Sequence, residues 1–424
     1  MNISQLKEVV NSGALAKDFT MLYGDADSQK ERYIHTIDGF LFNFGDADNL
    51  RIFSAPGRTE VGGNHTDHQH GCVLTGAVDL DVIAVVSQND SGLIRIKSEG
   101  YRMDVIDLNE LEITESEKGH ASAIIRGVVN YFKEAGYKIG SFDAYTTSNV
   151  FKGSGLSSSA AFETLVGNIL NGMFCNNAVS AVDIAKIGQK AERNYFGKPC
   201  GLLDQMASSM GGFTFIDFCD PTVPVFENVE LDIEKYGYTL CVANTGGSHA
   251  DLTDDYAAVP AECKAVSEAL GVEYLRDANQ QKFFSNISEI RKLCGDRAVL
   301  RAIHFFGEND RAVLQKNALQ EGNFDEFLNL VNESGNSSYC YLQNVYSPSN
   351  PKEQGVSLGL ALTKRFLGGN GACRVHGGGF AGTIQCYVPT ERFPEYKQYM
   401  ESVFGPDTCV ALRIRPVGGY EIKL

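Results

Sequence analysis

The chain has 424 residues, 43% hydrophobic and 21% charged, with 44 Gly against 11 Pro. That composition excludes a disordered or fibrous protein, and the length predicts two domains or lobes, because one hydrophobic core seldom serves so long a chain. The formal net charge of −16 excludes non-specific binding to nucleic acid or to an anionic membrane; an anionic ligand must be held locally, by backbone amides, a helix N-terminus or a bound cation.

The eleven cysteines are odd in number, lack CxxC spacing and scatter from Cys72 to Cys409. They read as reduced, mostly buried thiols of a cytoplasmic protein rather than a zinc ribbon or a disulfide framework. The N-terminal MNISQLKEVV lacks the basic start and apolar run of an export signal. The chain also lacks the run of about 18 apolar residues that a membrane helix needs.

In chain order, residues 1–50 predict a polar, helical lead-in. From Leu50, RIFSAPG, VLTGAVDLDVIAVVSQ and LIRIKS predict strands of a mixed sheet. Between the first two lies SAPGRTEVGGNHTDHQHG, residues 54–71, where Arg58, Glu60, Asn64, His65, Asp67, His68 and His70 crowd between glycines. Such polar density in a core strand requires a bound partner. Zinc ligation and a solvated loop are the competing readings, although HTDHQH is not the order of metal-hydrolase ligands.

SFDAYTTSNV then alternates as a strand and breaks into GSGLSSSAAFE, residues 153–163. Phe162, Leu165, Val166, Ile169, Leu170 and Met173 follow at helical spacing, which puts the turn on a helix N-terminus. Gly153 and Gly155 permit close backbone approach, and Ser157, Ser158 and Ser159 offer hydroxyls where helix amides point outward. This can cradle phosphate, although the turn has neither the Lys of a P-loop nor a dinucleotide fingerprint. By itself such a turn is more often a plain capped loop.

AVDIAKIGQKAERNYFG predicts a helix ending at Gly197. AERNYFGKPCGLLDQMASSMGG, residues 191–212, sets Glu192 and Asp204 on either side of a Gly and Pro turn. Asp204 can cap a helix, or it can accept a proton in a cleft. FTFIDF and YTLCVANT predict strands, residues 255–335 are mainly helical, and SLGLALTKRFLGG leads into a closing βαβ-like segment. Within it HGGGFAGTIQC, residues 376–386, needs a tight turn or a near ligand. The lobe boundary is expected near residue 217, giving lobes 1–217 and 218–424.

Together and in this order, the four segments resemble the galactokinase family of the GHMP small-molecule kinases. APGRTEVGGNHTDHQHG resembles the sugar signature, GSGLSSSAAFE the ATP loop, AERNYFGKPCGLLDQ the catalytic segment and GGGFAG the C-terminal glycine motif. The resemblance covers residues 50–420. It implies an α+β fold with a ribosomal-protein-S5-domain-2-like N-terminal lobe, a ferredoxin-like α/β sandwich as C-terminal lobe, and a cleft between them.

The resemblance further implies ATP-dependent phosphorylation of the anomeric hydroxyl of galactose, by direct transfer. It implies Asp204 as base or orienting group and Arg58 beside it. Sugar contacts fall on Asn64, His65, Asp67, Gly201 and Tyr256. The nucleotide falls on Gly153, Ser154, Gly155, Leu156, Ser157, Ser158, Ser159 and Ala160, and Mg²⁺ on Ser158 or Ser159 with Glu192. Nucleic acid and membrane are not expected as partners, and no motif specifies an oligomer.

Two positions depart from the family pattern. Asn64 stands where the signature normally has Glu, and Ala257, Ala258, Val259 and Pro260 replace basic residues after the sugar-contacting Tyr. A neutral Asn both accepts and donates and does not repel an anion, so galacturonate or another galactose-like sugar is the alternative to galactose. A non-catalytic sugar and ATP sensor is the rival class; such sensors have lost the Ser and Ala pair that Ser159 and Ala160 retain here.

Overall fold

The computed structural model describes residues 1–150, 155–247 and 252–424. Gly153 and Ser154 of the expected nucleotide loop lie outside the described residues. The polar lead-in forms α1 (Ile3–Ser12), α2 (Ala16–Tyr23) and α3 (Lys30–Phe44). An eight-stranded sheet then begins with β1 (Arg51–Gly62), β2 (Cys72–Gln88), β3 (Leu93–Ser98) and β4 (Met103–Asp107). After α4 (Ala121–Glu134) come β5 (Phe142–Ser148), α5 (Ser158–Phe174), α6 (Ala181–Ala191), α7 (Leu203–Met210), β6 (Phe213–Asp217) and β7 (Val225–Val229).

The second half opens with β8 (Tyr238–Asn244) and passes through α8 (Thr253–Ala269), α9 (Gln280–Ser285), α10 (Ile287–Cys294), α11 (Asp296–Gln320), α12 (Phe324–Ser337) and α13 (Gly355–Leu367). It closes with β9 (Ala372–Val375), β10 (Thr383–Pro389), α14 (Phe393–Phe404), β11 (Cys409–Ala411) and β12 (Tyr420–Glu421). A four-stranded sheet runs in the order β11-β8-β10-β9. Both β10 and β11 pair antiparallel with β8, so β10–α14–β11 is a crossover between parallel strands, matching the expected βαβ-like close.

The first sheet has the order β12-β1-β2-β5-β3-β4, with β6 on β2 and β7 on β6. Its long middle strand reads as a continuous apolar run because both faces are covered. Ile83 and Val85 face α1–α3, and Val82, Ala84 and Val86 face the main core with Leu165, Val166 and Ile169 of α5. All eleven cysteines are free thiols. Among the described residues, no helix is long and apolar enough to cross a membrane.

A buried ionic cluster ties the N-terminal helices to the end of the chain. Asp81, with no exposed surface, accepts from Arg32 Nη1 at 2.7 Å and from the Tyr23 hydroxyl at 2.6 Å, and Arg415 Nη1 lies 3.2 Å away. Burial pushes the Asp81 pKa up, but the charges of Arg32 and Arg415 outweigh it and the net shift is downward. Asp81→Ala, which strands two cations, should cost about 3–5 kcal/mol in urea unfolding; a loss below about 1 kcal/mol would show that the cluster holds nothing.

Candidate active site

The site is built around a break in β1. Register with β2 shifts between Pro56 and Arg58, where Gly57 leaves room for the turn before α5: a Cβ at Gly57 would lie 2.8 Å from the Leu156 carbonyl oxygen. Arg58 N–H donates to that carbonyl at 2.9 Å, and its guanidinium donates to the carbonyl of Gly155. The same guanidinium, through Nε, donates to Asp204 Oδ1 at 2.6 Å. Asp204 stands in the first turn of α7, and the helix is seated by the Ser208 hydroxyl donating to the Pro56 carbonyl at 2.7 Å.

The other carboxylate oxygen of Asp204 accepts from the Ser157 hydroxyl at 2.7 Å. Ser157 occupies the N-cap position of α5 in the left-handed region (φ 57°, ψ 63°), and its side chain does not cap the helix. A non-glycine residue held there stores strain, about 1–3 kcal/mol, that functional sites commonly carry. Burial raises the Asp204 pKa, but the charge and hydrogen bond of Arg58, then Ser157 and Lys198, bring it below the usual carboxylate value. Asp204 is therefore ionised at neutral pH, with its side chain 29% exposed to the cleft.

Beyond the end of β1, His65 Nε2 lies 3.0 Å from the carbonyl of Gly378. A carbonyl only accepts, so Nε2 carries the proton and Nδ1 keeps its lone pair. Burial, then His68, lowers the His65 pKa to about 3, so the ring is neutral. The Tyr256 hydroxyl of α8 donates to Gly379 O at 2.8 Å, and its ring packs so closely on Gly378 that a Cβ there would come within 2.5 Å. Asp67 lies over Gly201, where a Cβ would meet its Oδ2 at 1.5 Å. Gly377 reaches back to the phosphate turn, its Cβ position 3.4 Å from Gly155 O. Arg58, Gly155, Leu156, Ser157 and Asp204 are thus joined by direct hydrogen bonds, and the 377–379 turn links them to His65 and Tyr256, while Asp67 and Gly201 pack on each other.

Ser158 and Ser159 open α5 half-buried, and Ala160 is fully buried, so only its backbone can serve a ligand. Glu192 begins a π-turn that Gly197 (φ 88°) terminates, and is almost fully buried. Its carboxylate accepts from Lys198 Nζ and from Gln205 Nε2, each at 2.9 Å. Gln205 also donates to Glu163 Oε2 at 2.9 Å, while Glu163 Oε1 is buried without a partner. Burial first, then the charge of Glu192, raises the Glu163 pKa well above the ordinary value.

One expectation is corrected. Asn64 does not reach the cleft: it has no exposed surface and its amide is consumed within the protein. Nδ2 donates to Glu60 Oε1 at 2.7 Å and to Gly377 O at 2.8 Å, and Oδ1 accepts from Asn344 Nδ2 at 2.9 Å and Ser338 Oγ at 3.2 Å. The Asn64 amide is thus turned into the protein rather than toward solvent.

Two family models match the chain: the galactokinase galactose-binding signature over residues 39–88 and the GHMP kinases N terminal domain over residues 123–212. The fold superposes on the galactokinase of Lactococcus lactis complexed with galactose with a TM-score of 0.77, covering 93% of this chain and 100% of that one at 24% identity. The galactokinase of Enterococcus faecalis is 30% identical over 366 residues, 84% of this chain and 90% of the relative. That of Glaesserella parasuis is 31% identical over 380 residues, 87% of this chain and 92% of the relative. The chain belongs to the galactokinase family.

In this galactokinase-family chain the fold has the GHMP kinase architecture that the resemblance implied, while two sets of site residues escaped the sequence. Arg374 and Asn344 sit behind Glu60 and Asn64, which the polar cluster of residues 54–71 already contained, and Glu163 and Gln205 sit behind Glu192. The one available signal was Arg374, a lone charge in ACRV, a strand buried throughout and immediately before the glycine motif. Asp204→Asn keeps the size but removes the charge; it should lower kcat at least about a hundredfold while ATP affinity stays within about threefold. Turnover near that of the parent would remove Asp204 from the chemistry.

Proposed function

We propose that the chain is a cytoplasmic galactokinase that transfers the γ-phosphoryl group of ATP directly to the anomeric hydroxyl of galactose. One observation carries this reading: the carboxylate of Asp204 touches the phosphate turn through Ser157 on one oxygen and the buried Arg58 on the other. A nucleotide at the start of α5 and a sugar against His65 and Tyr256 would meet at that carboxylate.

Asp204 orients the anomeric hydroxyl as a hydrogen-bond acceptor. Its pKa is depressed, so it is a weak base in the ground state, and it takes the proton only as the phosphorus–oxygen bond to the leaving group loosens, as a dissociative transfer allows. Arg58 holds that carboxylate and stabilises negative charge developing beside it. His65, neutral and with Nδ1 a free acceptor in tautomer, together with Asp67, the backbone of Gly201 and Tyr256, grips the sugar hydroxyls. Gly155, Leu156, Ser157, Ser158, Ser159 and Ala160, with Gly153 and Ser154, receive the phosphates.

Magnesium is assigned to Ser158 or Ser159 and Glu192. The partnerless oxygen of Glu163 lies beside a second carboxylate, with Lys198 as a nearby cation among the described residues, an electronegative surrounding that suits a divalent ion. Bound with ATP, the ion neutralises charge on the phosphates. Among the described residues, no three His, Cys, Asp or Glu side chains converge to hold a metal alone, which fits an ion that shares its ligands with a nucleotide.

A coupled ADP assay with galactose, galacturonate, N-acetylgalactosamine and arabinose tests the reading. Galactose should give the highest kcat/KM by at least about tenfold. Binding of sugar and ATP without ADP release would make the protein a sensor instead. Glu192→Gln should raise the magnesium concentration for half-maximal rate by about tenfold or more, and an unchanged titration would move the ion elsewhere.

A further inference from the structure

His65 follows strand β1, in which Glu60, unlike Arg58, points into the seam between the two sheets. Arg374 of β9, without exposed surface, donates through Nη2 to Glu60 Oε1 at 2.9 Å and through Nη1 to the Val61 carbonyl at 2.6 Å. Glu60 Oε1 also accepts from Asn64 Nδ2. Asn344, which donates to Asn64 Oδ1, donates as well to Gly378 O at 3.1 Å. That carbonyl is the one holding His65 Nε2–H. A continuous relay therefore runs from Arg374 through Glu60, Asn64 and Asn344 to the backbone atom that orients the histidine.

We propose that Glu60 and Asn64 act as one donor–acceptor pair, clamped by Arg374, that positions His65 and the glycine turn 377–379 for the sugar without touching it. The inference rests on the reading of His65 as a sugar contact. Its physical basis is the burial of the pair. Burial pushes the Glu60 pKa up to about 7 against the opposing charges of Arg374 and Arg58 and the Asn64 hydrogen bond, so the acid depends on Arg374 and the Asn64 amide, both on Oε1, for what stabilisation it has. Only an amide at position 64 can donate at once to Glu60 and to Gly377 O while accepting from Asn344 and Ser338. A second carboxylate there would face the first at hydrogen-bond distance and turn an acceptor toward Gly377 O.

The isosteric exchange separates positioning from bulk stability. Glu60→Gln, Asn64→Asp and the double variant E60Q/N64D would be compared by thermal unfolding, by galactose binding in calorimetry, and by sugar KM, ATP KM and kcat. Each single variant should weaken galactose binding and raise sugar KM by about tenfold or more, with ATP KM and kcat within about threefold of the parent. The double variant repairs the contact between positions 60 and 64 but still turns an acceptor toward Gly377 O, so its sugar KM should fall clearly below that of Asn64→Asp alone, by about threefold or more, without regaining the parent value. Losses that multiply across the two singles would overturn the pair. A restored melting temperature with sugar KM no lower than that of Asn64→Asp would reduce it to a structural bond and overturn the positioning role. Were the parent to phosphorylate none of the tested sugars, the kinase reading would fall, while a double variant melting above both singles would still establish the pair.

Discussion

Arg58 is a guanidinium with only 7% of its side chain exposed, planted on a central strand of the larger sheet. A cation in that position has to be matched by a carboxylate and by carbonyl oxygens, or it will not be buried at all. Asp204 supplies the first and the Gly155 turn the second, so one side chain holds the start of α7, the entry to α5 and the bulge of β1 together. The same pairing keeps Asp204 ionised. A carboxylate stabilised in this way makes a precise hydrogen-bond acceptor and a reluctant base, which suits phosphoryl transfer more than chemistry that begins with proton removal.

Behind the reacting groups the two sheets meet through polar contacts, and these are nearly all internal. Gln385 of β10 donates to Thr59 Oγ1 at 2.6 Å and to Glu60 O at 3.0 Å. Glu308 of α11 accepts from the Gly63 N–H at 3.1 Å, and His304 of the same helix donates to the Asn64 carbonyl at 2.9 Å. Glu308 is fully buried, yet the charges of His304, Arg374 and Arg311 outweigh that burial and hold its pKa at about 2. Such a seam adds little net stability compared with an apolar one of the same shape, but it admits few alternative registers. The sugar signature is therefore as much a joint between sheets as a binding loop.

This dual use explains what the sequence disclosed and what it hid. Helices at α5 and α6 were legible because apolar spacing is local, and Gly197 ends its turn as a left-handed cap must. The alternation of Ile83 and Val85 against Val82, Ala84 and Val86 was hidden inside one apolar run, since both faces of β2 are covered. The crowding of Arg58 and Glu60 pointed to a bound partner, but it did not show which, because their protein partners are distant in sequence: Asp204 for one, Arg374 for the other. The family resemblance located Asn64 in the signature, but only its hydrogen bonds to Ser338 and Asn344 reveal that it faces inward. Likewise a serine at an N-cap position predicts a capping hydroxyl; Ser157 gives that hydroxyl to an acid in another helix.

The acidic chain also has to hold a polyanion. Among the described residues at the site, Arg58 is committed to Asp204 and Lys198 to Glu192, so neither brings an unopposed positive charge to a triphosphate. The compensating field has to come from the backbone. With Ser157 diverted to Asp204, the N-terminal end of the 17-residue helix α5 is not capped by its own side chain, and its positive dipole end faces the turn where phosphates would lie. A divalent ion beside Glu192 and Glu163 would supply the remainder. Ser157 thus links the start of α5 to Asp204 by one hydrogen bond, and the same residue leaves the helix end uncapped and holds the acid in place.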